Sequence, residues 1–161
     1  MASTRSLAVA LSAVTVLALS ACAPFGGGGG SLTPTDQDAV RAVTTAESDA
    51  GGRAFALDAD DDRWEVHVAV GDQEVEVQVS TDGTRAESSD GSGRLDADDS
   101  AALQATTTTL ADAIRIAATR ASGGARVEEA VLEQEDGAPV WKVEIAGGTT
   151  VRVSGVDGSV R

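Results

Sequence analysis

Arg63-Trp-Glu-Val-His-Val-Ala-Val-Gly-Asp-Gln-Glu-Val-Glu-Val-Gln-Val-Ser80 is the stretch that decides the fold. Trp64, Val66, Val68 and Val70 alternate with Glu65, His67 and Ala69. Beyond Asp72-Gln73, Val75, Val77 and Val79 alternate with Glu74, Glu76 and Gln78. Alternation with period two, interrupted once by a turn, predicts two antiparallel strands with one face buried and one face wet. Upstream, Arg53 to Asp58 reads as a further strand, closed by the polar turn Asp60-Asp61-Asp62. Before it, Ala39, Val40, Val43, Ala46 and Ala50 recur at helical spacing. Thr35 is placed to cap that helix, acids fill its first turn, and Gly51-Gly52 ends it. Ser80-Thr81-Asp82-Gly83 closes the unit.

The same order returns downstream. Asp96, Asp98, Asp99 and Ser100 precede a longer predicted helix, with Leu103, Thr106, Leu110, Ile114, Ala117 and Ala121 as its buried stripe. Gly123-Gly124 ends it. Strands are then expected from Arg126 to Glu135, from Pro139 to Ala146 and from Thr149 to Ser154, with Asp157-Gly158 as the closing turn. Leu57-Asp58 corresponds to Leu132-Glu133, and Asp82-Gly83 to Asp157-Gly158, at a constant offset. Trp64 and Trp141 lie two residues further apart than that, which a second turn lengthened by Ala138-Pro139 would explain. A repeated supersecondary unit of this kind is the sign of duplication.

The expected fold class is therefore α+β, with two tandem αβββ units, each a helix on a three-stranded antiparallel sheet. The first spans 35–85 and the second 96–161. Residues 86–95, rich in Ser, Gly and acids, read as a linker. A unit of about 50–60 residues buries only about 60% of its unfolded surface. The two units are therefore expected to pack into one body through sheet faces or edges.

Helix, three strands and a closing Asp-Gly turn resemble the PepSY domain family. The resemblance rests on Gly-Gly before the first strand, the Trp-led middle strand, and the endings Asp82-Gly83-Thr84-Arg85 and Asp157-Gly158-Ser159-Val160. Those strands usually carry a Tyr, and this chain has none. The resemblance implies an extracytoplasmic, non-catalytic module that binds or restrains secreted or envelope peptidases, and it brings no catalytic residues with it.

The N-terminus reads as an address. Arg5 precedes an apolar run from Leu7 to Leu19, shorter than the roughly 20 residues a membrane span needs but suited to a secretory signal. Leu19-Ser20-Ala21-Cys22 resembles the bacterial lipobox. That implies cleavage between Ala21 and Cys22, and a diacylglyceryl (palmitate-type) thioether on Cys22 as the only covalent addition; no other cofactor is expected. The signal peptide would be 1–21, with 22–34 a Gly-rich tether. The expected location is the outer face of the cell membrane, with the bilayer as partner through Cys22 and an envelope protein or peptidase as a further partner.

Composition removes several functions. The chain has 26 acidic against 12 basic residues and a net charge of −14. That balance opposes nucleic-acid binding, which rests on Lys and Arg. One Cys and one His exclude a disulfide and most metal centres. No Ser stands in a nucleophile-elbow context, so no enzyme is expected. Asp58, Asp60, Asp61 and Asp62 form a weak candidate cation loop, failing the EF-hand pattern because Arg63 and Ala69 stand where Gly and Glu are required. Trp64, His67 and Trp141 are the candidate partner-binding residues, with core anchoring the simpler reading of both indoles. An acidic structural or cation-buffering role at the cell envelope is the alternative function.

Overall fold

In the computed structural model, which describes residues 34–60, 62–121 and 126–161, helix α1 (Pro34–Ala50) precedes β1 (Arg53–Asp60), β2 (Arg63–Val70), β3 (Gln73–Ser80) and β4 (Ala86–Arg94). Then come α2 (Ala97–Ala105), α3 (Leu110–Arg120), β5 (Val127–Glu135), β6 (Ala138–Ile145) and β7 (Thr149–Ser154). The expected signal segment with Ala21 and Cys22, the expected tether up to residue 33, Asp61 and Gly123-Gly124 lie outside the described residues, while Pro34 opens α1.

The strands form one antiparallel sheet of seven, ordered β4-β3-β2-β1-β5-β6-β7. Its apolar face follows the alternation: Leu57, Trp64, Val66, Val68, Val77 and Val79 are buried in one half, and Leu132, Trp141, Val143, Ile145 and Val153 in the other. Helices α1 and α3 cover this face and touch each other. Ala39, Ala42, Val43 and Ala46 of α1 and Leu110, Ala113, Ile114 and Ala117 of α3 supply the facing layer. Each fully buried Val, Leu or Ile stabilises by about 1.5–3 kcal/mol relative to exposure.

The two halves meet edge to edge. β1 pairs with β5 through Ala56↔Val131, Leu57↔Ala130 and Asp58↔Glu129. The α+β class and helix–strand order match the sequence reading, but two separate three-stranded sheets do not exist. The first half has four strands. Residues 86–94, expected as a linker, are β4, paired with β3 from Gln73↔Arg94 to Val79↔Ala86. Ser and Gly have little strand propensity; the open edge of β3 supplies the backbone partners that override it.

The single long helix expected over 96–121 is two helices on opposite faces. It breaks at Thr106-Thr107-Thr108-Thr109, four consecutive β-branched residues whose stiff side chains disfavour helix and whose hydroxyls favour caps. Thr109 caps α3 by accepting from Asp112 N, and the Thr107 and Thr108 amides both donate to Gly155 O. Asp96 caps α2 by accepting from Asp98 N. α2 contacts β5 and β6. Arg53, which register places on the His67 side of the sheet, donates to the Leu103 and Thr106 carbonyls at 2.8 and 2.9 Å. α2 therefore lies on the face away from α1 and α3.

The second turn is not lengthened. Asp60 pairs with Arg63, and Glu135 with Ala138, so two residues separate each pair. The structural counterpart of Trp64 is thus Pro139, and Trp141 sits two places further along its strand. An even displacement keeps both indoles on the apolar face.

The third strand of each half, β3 or β7, runs into the same kind of turn. Gly83 and Gly158 have φ of +72° and +71°. A Cβ on Gly83 would lie 2.3 Å from the Asp38 carbonyl oxygen of α1, so the turn seats against the helix only as glycine. Ser80 Oγ and Thr84 Oγ1 donate to Asp82 Oδ1 at 2.7 and 2.8 Å, holding its carboxyl at about 2. The Ser154 hydroxyl, with the amide and hydroxyl of Ser159, holds Asp157 at about 2. Both folded values lie below the unfolded carboxylate value of about 3.9, so the stabilisation is present above about pH 4 and is lost as pH falls toward 2. The double variant Asp82→Asn/Asp157→Asn should show a flatter stability-versus-pH curve between pH 4 and 2, measured by urea titration at each pH. An unchanged slope would refute the assignment.

Candidate functional site

Burial overturns the partner-binding reading of both indoles. Trp64 is 2% exposed and Trp141 fully buried. Trp64 Nε1 donates to Thr81 O at 2.8 Å, and Trp141 Nε1 to Thr108 O at 3.0 Å. Each ring fills the core while its one polar atom fastens a connecting segment, so neither presents surface to a partner.

His67 points to the opposite face, as the alternation requires. Its Nδ1 lies 2.5 Å from Glu74 Oε1 and its Nε2 3.2 Å from Glu65 Oε1. The register shift between Ala54 and Ala56 frees Phe55, whose ring sits 6.0 Å from the imidazole. α2 borders this cluster: burial, then the charges of Asp96, Glu74 and Asp98, push the Asp99 carboxyl up, while His67 opposes them. With carboxylates at both ring nitrogens, His67 is committed to local pairing across the sheet.

The acidic turn is likewise engaged. Asp62 Oδ1 accepts from Arg63 Nε at 2.9 Å, which holds the Asp62 carboxyl below its ordinary value, and Asp60 lies 3.9 Å from the same nitrogen. Asp58 is an exposed strand residue paired across β2 and β5. Among the described residues no group of three His, Cys, Asp or Glu is arranged to hold a metal ion.

What the fold leaves open is a strand edge. The two ends of the sheet differ. β7 is guarded over residues 152–154 by residues 159–161: Val160 bridges Val153, Ser154 N donates to Ser159 O at 2.8 Å, and Arg161 N donates to Arg152 O at 3.0 Å. On the outer side of β4, no strand pairs among the described residues. The β3–β4 register shifts near each end but runs evenly from Val75↔Gly91 to Gln78↔Ser88. Beside this edge, on the α1 side, lies an open groove of about 510 Å³ lined by Thr44, Thr45, Ser48, Asp49 and Arg85, among others. No periodicity or motif announced this site: the residues that form it, Ser, Gly and acids, are those of a linker.

No helix among the described residues is long and apolar enough to cross a membrane. No family model and no curated protein sequence matches the chain. The chain is similar to a crystal structure of a "putative lipoprotein" from Clostridium difficile 630, at 16% identity and a TM-score of 0.44, over 74% of this chain and 87% of that one.

Proposed function

We propose that this chain is a lipid-anchored, extracytoplasmic, non-catalytic binding module that captures an extended segment of another envelope protein along β4. The single observation that carries the reading is the asymmetry of the sheet: residues 159–161 pair along residues 152–154 of β7, whereas β4 has no outer strand partner among the described residues. An exposed edge is a template for strand addition, in which main-chain hydrogen bonds give affinity and alternate side chains give selectivity. The lipobox-like Leu19–Cys22 supports the anchor, because two acyl chains meet the requirement for stable membrane attachment. The matched Asp-Gly endings support descent from one duplicated, PepSY-like αβββ unit, and such a unit would act on a peptidase or its substrate.

The test places a photo-crosslinking residue at Ser88 on β4 and, separately, at Arg152 on β7, in cells that make the full chain. A discrete adduct is expected from position 88 and none from 152, and Cys22→Ser should move the protein from the membrane to the soluble fraction. Equal adducts from both edges, or none from either, would refute the edge reading. Retention of the Cys22→Ser chain in membranes would refute the anchor.

A further inference from the structure

The α1 side of β4 is built from small residues. Ala86 lies opposite Val79, Ser89 opposite Val77 and Gly91 opposite Val75, so all three face the apolar side of the sheet. Of the three, Ala86 lines the groove beside α1, where its short side chain leaves room.

The chemistry of that groove is one-sided. Thr44 Oγ1 donates to Val40 O at 3.0 Å, Thr45 Oγ1 to Gly83 O at 2.7 Å, and Ser48 Oγ to Thr44 O at 2.8 Å. Each hydroxyl has one proton and has given it to a carbonyl, so only lone pairs remain for a visitor. Asp49 adds an exposed carboxylate. The one cation in the lining, Arg85, is mostly exposed and gives one N–H to Glu87 Oε1 at 2.9 Å. An acceptor-rich groove with a free carboxylate suits a side chain that only donates. Lys, with three donors and no acceptor, and Arg, with five, are the two that do.

We propose that the β4 edge takes an extended cationic segment, with one Lys or Arg side chain entering the α1–β4 groove. This rests on the edge reading above and adds the chemistry of the partner. Whole-molecule charge points the same way. At −14, the chain attracts a basic segment and repels an acidic one. It also repels a second copy of itself, so β4–β4 pairing between two molecules is disfavoured. The evenly paired stretch, residues 88–91, sets the length of segment that can be held.

The experiment uses the full chain in nonionic detergent and fluorescence anisotropy with three labelled seven-residue peptides. The first alternates Lys and Val. The second replaces each Lys by Thr. The third keeps the Lys-Val sequence but is N-methylated at alternate residues, which preserves charge and removes strand pairing. The first should bind, the second about tenfold more weakly, and the third not at all. Asp49→Asn should weaken the first peptide about two- to fivefold and leave the second unchanged. Neutralising an acid at the C-terminal end of a helix does not threaten folding. If the first two peptides bind equally and the third does not bind, the cationic preference is overturned while the edge reading stands. If the first and third bind equally, binding follows net charge alone and both readings fall. If no peptide binds, this proposal falls.

Discussion

Trp141→Ala should remove about 3–5 kcal/mol of stability, and Trp64→Ala a similar amount. Measured by urea denaturation, either loss is large against the 5–15 kcal/mol that a domain usually has in total. The size follows from what surrounds the rings. Trp141 is fully buried and Trp64 nearly so, in a core whose other members are mostly Val and Ala. Short, stiff neighbours collapse poorly into a void, so the cavity term adds to the lost transfer energy. Each indole also satisfies a backbone carbonyl, Thr108 O or Thr81 O. Trp→Phe at either position separates the two contributions. It keeps most of the volume and should cost about 1–3 kcal/mol for the carbonyl left without its donor. A loss below about 1 kcal/mol for either Ala variant would contradict the packing described.

These two residues also show how far the sequence could be read. Their place on the apolar face was legible because alternation is a local signal: each strand residue points opposite to its neighbours whatever the rest of the chain does. The four strands nearest the two Trp residues and the three outer ones were found the same way, all but β4. β4 carries Ala-Glu-Ser-Ser-Asp-Gly-Ser-Gly-Arg, and nothing in those side chains favours a strand; it exists because β3 has an edge to satisfy. The break at Thr106–Thr109 was hidden by a different cause. Helical spacing continued across it, since Leu103, Thr106 and Leu110 are all buried, but on two faces of the sheet instead of one. The candidate site suffered from both limits. An edge is defined by what does not pair with it, and absence of a partner leaves no mark in sequence. His67 was placed on the correct face, yet its pairing with Glu74 depends on the β2–β3 register, which fixes Ala69 opposite Glu74.

Residues 34–95 expressed alone should not fold cooperatively. The fragment has α1 and four strands, and it reproduces the order of the first half completely. What it lacks is the other side of three contacts. β1 loses β5, and with it the pairing at Ala56, Leu57 and Asp58. That turns an interior strand into an edge. α1 loses α3, so the small residues at their contact become solvent-exposed. Arg53 loses the Leu103 and Thr106 carbonyls, and Phe55 and Leu95 lose their cover on the α2 side. A chain of this size buries about 60% of its unfolded surface even when complete, which leaves little margin for such losses. Its core is rich in Ala and Val, each contributing less burial than Leu or Phe. The expected result is a broad, non-cooperative thermal transition by circular dichroism, with a sharp one restored on mixing with residues 96–161. A fragment that melts sharply within about 5 °C of the full chain, a gap worth about 1 kcal/mol at this size, would show that the halves are independent domains joined by chance of register. Restoration on mixing would show instead that the β1–β5 seam and the α1–α3 contact carry the cooperativity, and that the seven strands fold as one sheet.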